Sequence, residues 1–118
     1  MSPVSVKETT VAGCPAFALS GELNIGSAPG VRDVFMKHIR KREPALLLDL
    51  SGLEFMDTSG LATLIEAHLK TERYGGKLIL FGLKPRIAEV FEVTRVTALF
   101  SIFETQQDAV GALKVDAP

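Results

Sequence analysis

One cysteine, Cys14, is present in 118 residues, along with two histidines and a formal net charge of -1. Each scarcity excludes something. A single thiol cannot form an internal disulfide or a cysteine-only metal site, and it suits a reducing compartment such as the cytosol. Two isolated histidines, His38 and His68, make a poor metal set, because a closed zinc site takes about four ligands. Thirteen basic against fourteen acidic residues leave no basic field for nucleic acid or an anionic membrane. No apolar run approaches the ~20 residues of a membrane span. The opening "MSPVSVKETT" lacks a charged region followed by an apolar one, so no signal peptide is expected. There is no G-x-x-x-x-G-K-[ST] or G-x-G-x-x-G phosphate loop and no G-x-S-x-G elbow. A Ser59–His68–Asp57 triad fails on distance: Ser59 and His68 would lie about 13 Å apart along one helix. No catalytic residue, metal or cofactor is therefore assigned.

What is present is a core. Hydrophobic residues make up 47% of the chain, enough for one domain near the common size of roughly 100–150 residues. The division expected is one domain over 1–118, with its core at about 4–113 and a tail at 114–118. "VSVKET" (4–9) alternates like a half-buried strand, "AGCP" (12–15) reads as a turn, and "AFALS" (16–20) as the second strand of a hairpin. "GELNIGS" (21–27) reads as a loop in which Ser27 caps a helix, with Pro29 in its first turn. Val31, Val34, Phe35, His38 and Ile39 then fall on one helical face. The basic "KHIRKR" (37–42) at its end complements the helix dipole.

"ALLLDL" (45–50) is nearly continuous in apolar residues, as a strand covered on both faces is. Helical periodicity returns from Leu61 to Tyr74, with Glu66 and Lys70 as an i, i+4 pair, and Gly75 and Gly76 stop it. "KLILF" (77–81) is a buried strand, 84–94 a helix on Ile87, Val90 and Phe91, and "LFSIF" (99–103) a short edge strand. Thr105 and Asp108 form a capping pattern before a last helix on Ala109, Ala112 and Leu113. The order is β β α β α β α β α. That predicts an α/β domain with an initial hairpin and a mixed, mostly parallel sheet of about five strands with about four helices.

In such sheets functional residues collect where a strand ends and the next helix begins. "EFMDTSGLATL" (54–64) occupies that place. Helix N-termini carry free N–H groups and partial positive charge, and they accommodate phosphate. Asp57, Thr58 and Ser59 can each cap the helix, and Gly60 permits close backbone packing. "DTSG" alone is a weak motif, and capping is its plainer reading. Ser59, nearer the helix, is expected to accept an N–H from Leu61 or Ala62 and so turn inward, leaving the hydroxyl of Thr58 available.

"GELN" (21–24), "LLLDLSGLEFMDTSGLATL" (46–64), "YGGKLILFGLKPRIAEVFEVTRVTALF" (74–100) and "IFETQQDAV" (102–110) occur in one order with consistent gaps. Together they resemble the STAS domain family, specifically the bacterial anti-sigma factor antagonists, over roughly residues 4–113. The resemblance implies a STAS fold and a cytoplasmic partner switch rather than an enzyme. Such an antagonist binds an anti-sigma factor that is also a serine/threonine kinase, and so releases a sigma factor. The kinase phosphorylates the hydroxyl residue directly after the motif's Asp, which here is Thr58, and a phosphatase reverses the change. Asp57, Ser59 and Gly60 would shape the pocket. Glu22, Asn24, Met56 and Leu61 would border the docking surface. Three positions depart from the family pattern: Asn24 replaces the usual Asp, Thr58 the more usual Ser, and Arg95 a common Gly. The alternative that the resemblance allows is a STAS subunit of a lipid-transport ABC complex acting as a structural binding module. A third reading is a scaffold without phosphorylation. Neither direct nucleic-acid binding nor membrane insertion is expected.

Overall fold

The computed structural model describes residues 4–115, and side chains as far as 113. Residues 116–118 of the expected tail lie outside the described residues. Five strands and four α-helices follow in the expected order: β1 (Ser5–Val11), β2 (Cys14–Leu23), α1 (Ala28–Arg40), β3 (Ala45–Met56), α2 (Thr58–Arg73), β4 (Lys77–Phe81), α3 (Pro85–Val93), β5 (Ser101–Phe103) and α4 (Gln106–Val115). A 3₁₀ turn, Thr97–Leu99, precedes β5.

The strands pair in the order β1-β2-β3-β4-β5. β1 and β2 form an antiparallel hairpin through a turn at Ala12 and Gly13, both at positive φ. From β2 onward every pairing is parallel. Alternation along β3 divides the core. Leu46, Leu48, Leu50 and Leu53 face a large cluster with Phe35 of α1, Leu64 of α2 and Phe91 of α3. Leu47 faces a smaller one with Ile79, Phe81 and Ala109 of α4. Three helices thus cover one face of the sheet and α4 covers the other.

Two strands run further than their sequence announces. β2 continues through Gly21–Leu23, expected as loop, and β3 continues through Ser51–Met56. The Ser-Gly pairs at 20–21 and 51–52 lie where these extensions begin. A Cβ on Gly52 would sit 2.9 Å from the Cβ of Ser20. Gly21 takes φ 89° at a register shift, a bulge that lets the pairing resume to Leu23↔Met56. The extension carries both strands to one level, which brings the β2–α1 and β3–α2 junctions together.

Helix ends follow the chemistry of their caps. Gly75 (φ 84°) closes α2: Gly75 N–H donates to Glu72 O and Gly76 N–H to Thr71 O, both at 3.0 Å. α3 closes in the same way, with Arg95 N–H to Glu92 O and Val96 N–H to Phe91 O at 3.0 Å. There the left-handed position is held by Arg95 at φ 61°. Thr105 caps α4, its Oγ1 accepting Asp108 N–H at 3.1 Å.

Candidate functional site: the β3–α2 corner

β3 ends at Met56, and Asp57 stands between strand and helix with extended backbone (φ -99°, ψ -174°). Its carboxylate caps α2: Oδ1 accepts the N–H of Gly60 at 3.0 Å. The other oxygen, Oδ2, accepts the N–H of Ile25 in the β2–α1 loop at 3.1 Å. Asp57 N–H donates to Leu23 O at 3.2 Å, and its carbonyl accepts Leu61 N–H at 3.0 Å. One residue therefore ties both junctions together.

Ser59 does not cap the helix, contrary to expectation. It already lies in helical backbone at the second position of α2, whereas a capping side chain must reach back from the extended residue before the helix. Its carbonyl accepts the hydroxyl of Thr63 at 3.2 Å. Thr58 is the first helical residue and is exposed, and its hydroxyl has no hydrogen-bond partner among the described residues. Gly60 is fixed by packing: a Cβ there would lie 2.6 Å from Leu23 O and 2.9 Å from Met56 Cγ.

The β2–α1 loop is organised by Asn24. Its Oδ1 accepts N–H groups from Gly26 (2.9 Å) and Ser27 (3.1 Å), and its carbonyl accepts Ala28 N–H at 2.8 Å. An aspartate oxygen could accept the same bonds, so Asn keeps the loop's geometry and omits a charge. Ser27, expected as the cap of α1, stands at the right position but has near-helical backbone. Its Oγ accepts Asn24 N–H (2.9 Å) and donates to Glu22 O (2.8 Å), holding the loop against the end of β2.

Of the residues expected to border a docking surface, Glu22 and Asn24 are half-buried. Met56 and Leu61 are core residues at 3% and 4% exposure. The strand and helix periods turn them inward, so their side chains support the corner from beneath. Besides Phe55 on β3 (45% exposed), the apolar residues open to solvent beside it are Ile25 (76%) and Val93 (72%). Neither stands out in sequence, since each lies off the apolar stripe of its segment. A cavity of ≈ 510 Å³ opens here, with Asp57 and Thr58 on one wall and Arg86, Glu89, Val90 and Val93 of α3 on the other.

Charge around the corner is partly committed. Lys84 Nζ pairs with Glu54 Oε1, and this hydrogen bond with Lys84 holds the carboxyl of Glu54 below its ordinary range. Arg86 Nη1 makes a long contact of 3.4 Å with Glu54 O. The two histidines lie elsewhere. His38 Nε2 is 3.0 Å from Glu8 Oε1, and the His68 ring packs 5.3 Å from Phe100. Among the described residues no group of three metal-ligating side chains converges, and no helix is long and apolar enough to cross a membrane.

Known proteins share this fold. The family model described as the STAS domain matches residues 5–109. The anti-sigma-B factor antagonist of Listeria monocytogenes is 27% identical over 93 residues, which span 79% of this chain and 82% of the relative. A solved anti-sigma factor antagonist from Mycobacterium paratuberculosis superposes with a TM-score of 0.86 at 23% identity, covering 94% of each chain. The Bacillus cell fate determinant SpoIIAA, solved in its phosphorylated form, superposes with a TM-score of 0.72 at 20% identity over 92% of this chain and 99% of that one. The two structural likenesses are likenesses of fold.

Proposed function

The chain belongs to the STAS domain family, and from that membership we propose that it is an anti-sigma factor antagonist, a partner switch controlled by phosphorylation of Thr58. It acts by binding, in the cytoplasm, and not by catalysis. Its partner is an anti-sigma factor that is also a serine/threonine kinase, and a phosphatase resets it. The observation that carries the reading is the position of Thr58: an exposed, uncommitted hydroxyl at the first residue of a helix, beside an apolar-walled cavity.

The physics of a switch follows from that position. Ile25 and Val93 offer apolar surface on either side of Thr58, and a docked partner would bury it. Phosphate adds about -1.5 to -2 charges and three acceptor oxygens. Inside an interface that charge must find a partner or remain desolvated. In the free protein it sits at a helix N-terminus, where the N–H groups of Thr58 and Ser59 have no capping acceptor among the described residues and the dipole favours an anion. The fold tolerates the modification while docking does not.

The test combines the protein, a kinase-type anti-sigma factor from the same cell and ATP, with the modified residue located by mass spectrometry. Thr58 takes the phosphate. Thr58→Ala abolishes labelling and keeps binding. Thr58→Glu folds but binds at least about tenfold more weakly, a difference of ~1.4 kcal/mol. Phosphate on Ser59 overturns the assignment. An active kinase that labels neither residue overturns the switch.

A further inference from the structure

We infer that Arg86 is the residue that receives the phosphate once Thr58 carries one, so that the modified protein closes its own cavity. This rests on Thr58 being the acceptor, and it adds a named intramolecular latch. Thr58 and Arg86 line one cavity from opposite walls, the first turn of α2 and the first turn of α3.

The surrounding charges single out Arg86. Lys84, the neighbouring cation, is already paired with the carboxylate of Glu54. Arg86 is exposed, and its one hydrogen bond among the described residues is the 3.4 Å contact with the Glu54 carbonyl, long for a guanidinium donor. The nearby Glu54 carboxylate also attracts it but, paired with Lys84, makes no hydrogen bond to it, so most of the fork is left to match phosphate oxygens in pairs. Two carboxylates oppose the phosphate. Asp57 is adjacent in sequence, with its oxygens engaged by the N–H groups of Gly60 and Ile25. Glu89 lies one helical turn beyond Arg86 and lines the same cavity. A dianion between Asp57 and Glu89 gains from a cation, and among the described residues Arg86 is the one that lines this cavity. A phosphate bridged to Arg86 spans the mouth of the cavity and covers the apolar wall of Val90 and Val93. Docking then fails because that surface is occupied from within, in addition to the cost of burying charge.

The experiment places phosphothreonine at position 58 during translation, so it is independent of any kinase. The second ionisation of the phosphate is followed by phosphorus NMR across a pH titration, in the otherwise natural chain and in R86Q, R86K and E89Q. An opposite charge nearby favours the dianion and a like charge disfavours it. The phosphate of R86Q should therefore titrate about 0.5 unit or more above that of the natural chain. R86K, which keeps the charge and loses the fork, should fall between them, and E89Q should titrate below the natural chain. Circular dichroism of each unmodified variant checks that it folds, and R86K carries the test if R86Q does not. Equal phosphate ionisation in the natural chain and in the folded arginine variants overturns the latch and leaves the acceptor assignment standing. Failure of a kinase to label Thr58 overturns the acceptor assignment without touching the titration.

Discussion

Arg95 holds a backbone conformation that its side chain disfavours. The left-handed region costs a residue with a Cβ roughly 1–2 kcal/mol relative to glycine, and Arg95 occupies it at φ 61° because the α3 C-terminus needs a left-handed residue to return its last N–H groups. The sequence marked this position as a departure from a common glycine, without showing how the helix would close. The geometry of closure is kept and the side chain bears the strain. Arg95→Gly relieves it and adds freedom to the unfolded chain, which offsets about 0.4–1 kcal/mol. The net expectation is stabilisation by about 0.5–1 kcal/mol, read as a higher midpoint in urea with an unchanged slope. A lower midpoint would show that the arginine side chain makes a contribution larger than the strain.

At the scale of elements, α1 and α2 are fastened by an ion pair that local sequence does not announce. Glu66 and Lys70 were legible as an i, i+4 pair, and they meet at 3.0 Å. Arg32, 34 positions earlier, adds two bonds to the same carboxylate, Nε at 2.6 Å and Nη2 at 2.8 Å. That hydrogen bonding with Arg32, helped by Lys70 and opposed by burial, holds Glu66 at about 2 against an ordinary 4.5. A carboxyl with a depressed folded-state pKa contributes stability that is fully present above the unfolded value and is lost as pH falls through the folded one. Glu66→Gln should thus be less stable than the natural chain by about 0.5–1 kcal/mol at pH 6, the range of partly exposed pairs. The gap should shrink between pH 4.5 and pH 2. A gap that is constant across this range, measured by urea titration at each pH, would mean that packing and not charge joins the helices.

The same scale shows what could be read in advance. Element order was legible because helical and strand periods are local properties of the sequence. Leu64, fully buried, anchors α2 as its spacing predicts, while Ile65 beside it is only half-buried. The lengths of β2 and β3 were not legible, since Ser20-Gly21 and Ser51-Gly52 look like turns until the neighbouring strand is in place. At the corner, Asp57, Thr58 and Ser59 were all acceptable caps, and the choice depended on where extended backbone gives way to helix, a boundary that sequence leaves open by a residue or two. Asp57's bond to Ile25 and the apolar wall at Val93 are tertiary facts with no local signature.

Over the whole molecule, stability is unevenly shared between the two faces of the sheet. The face under α1, α2 and α3 carries the large cluster, including Phe17, Phe35 and Phe91 at 0–1% exposure. The opposite face has Ala16, Leu47, Ile79, Phe81 and Ala109, and a hollow of ≈ 670 Å³ opens at the surface where α4 meets β4 and β5. Helices held by few buried apolar contacts open at lower free energy than the global value. Native-state hydrogen exchange should accordingly find the amides of α4 less protected than those of α2, with opening free energies lower by about 1 kcal/mol or more. Equal protection in the two helices would show that α4 unfolds only with the rest of the domain.

The borders of the sheet have a consequence for how this protein meets others. β5 offers just three residues along its outer side, too few for an incoming strand to gain a useful ladder of hydrogen bonds. β1, the other border, is longer but lines its exposed positions with Lys7, Glu8, Thr9 and Thr10, and charge on an edge discourages another strand from adding to it. Both sides are therefore guarded against the self-templated pairing that leads to aggregation. The docking proposed at the Thr58 corner uses the end of the sheet where the strands stop, so the domain could present that corner to a partner without its edges sticking to copies of itself.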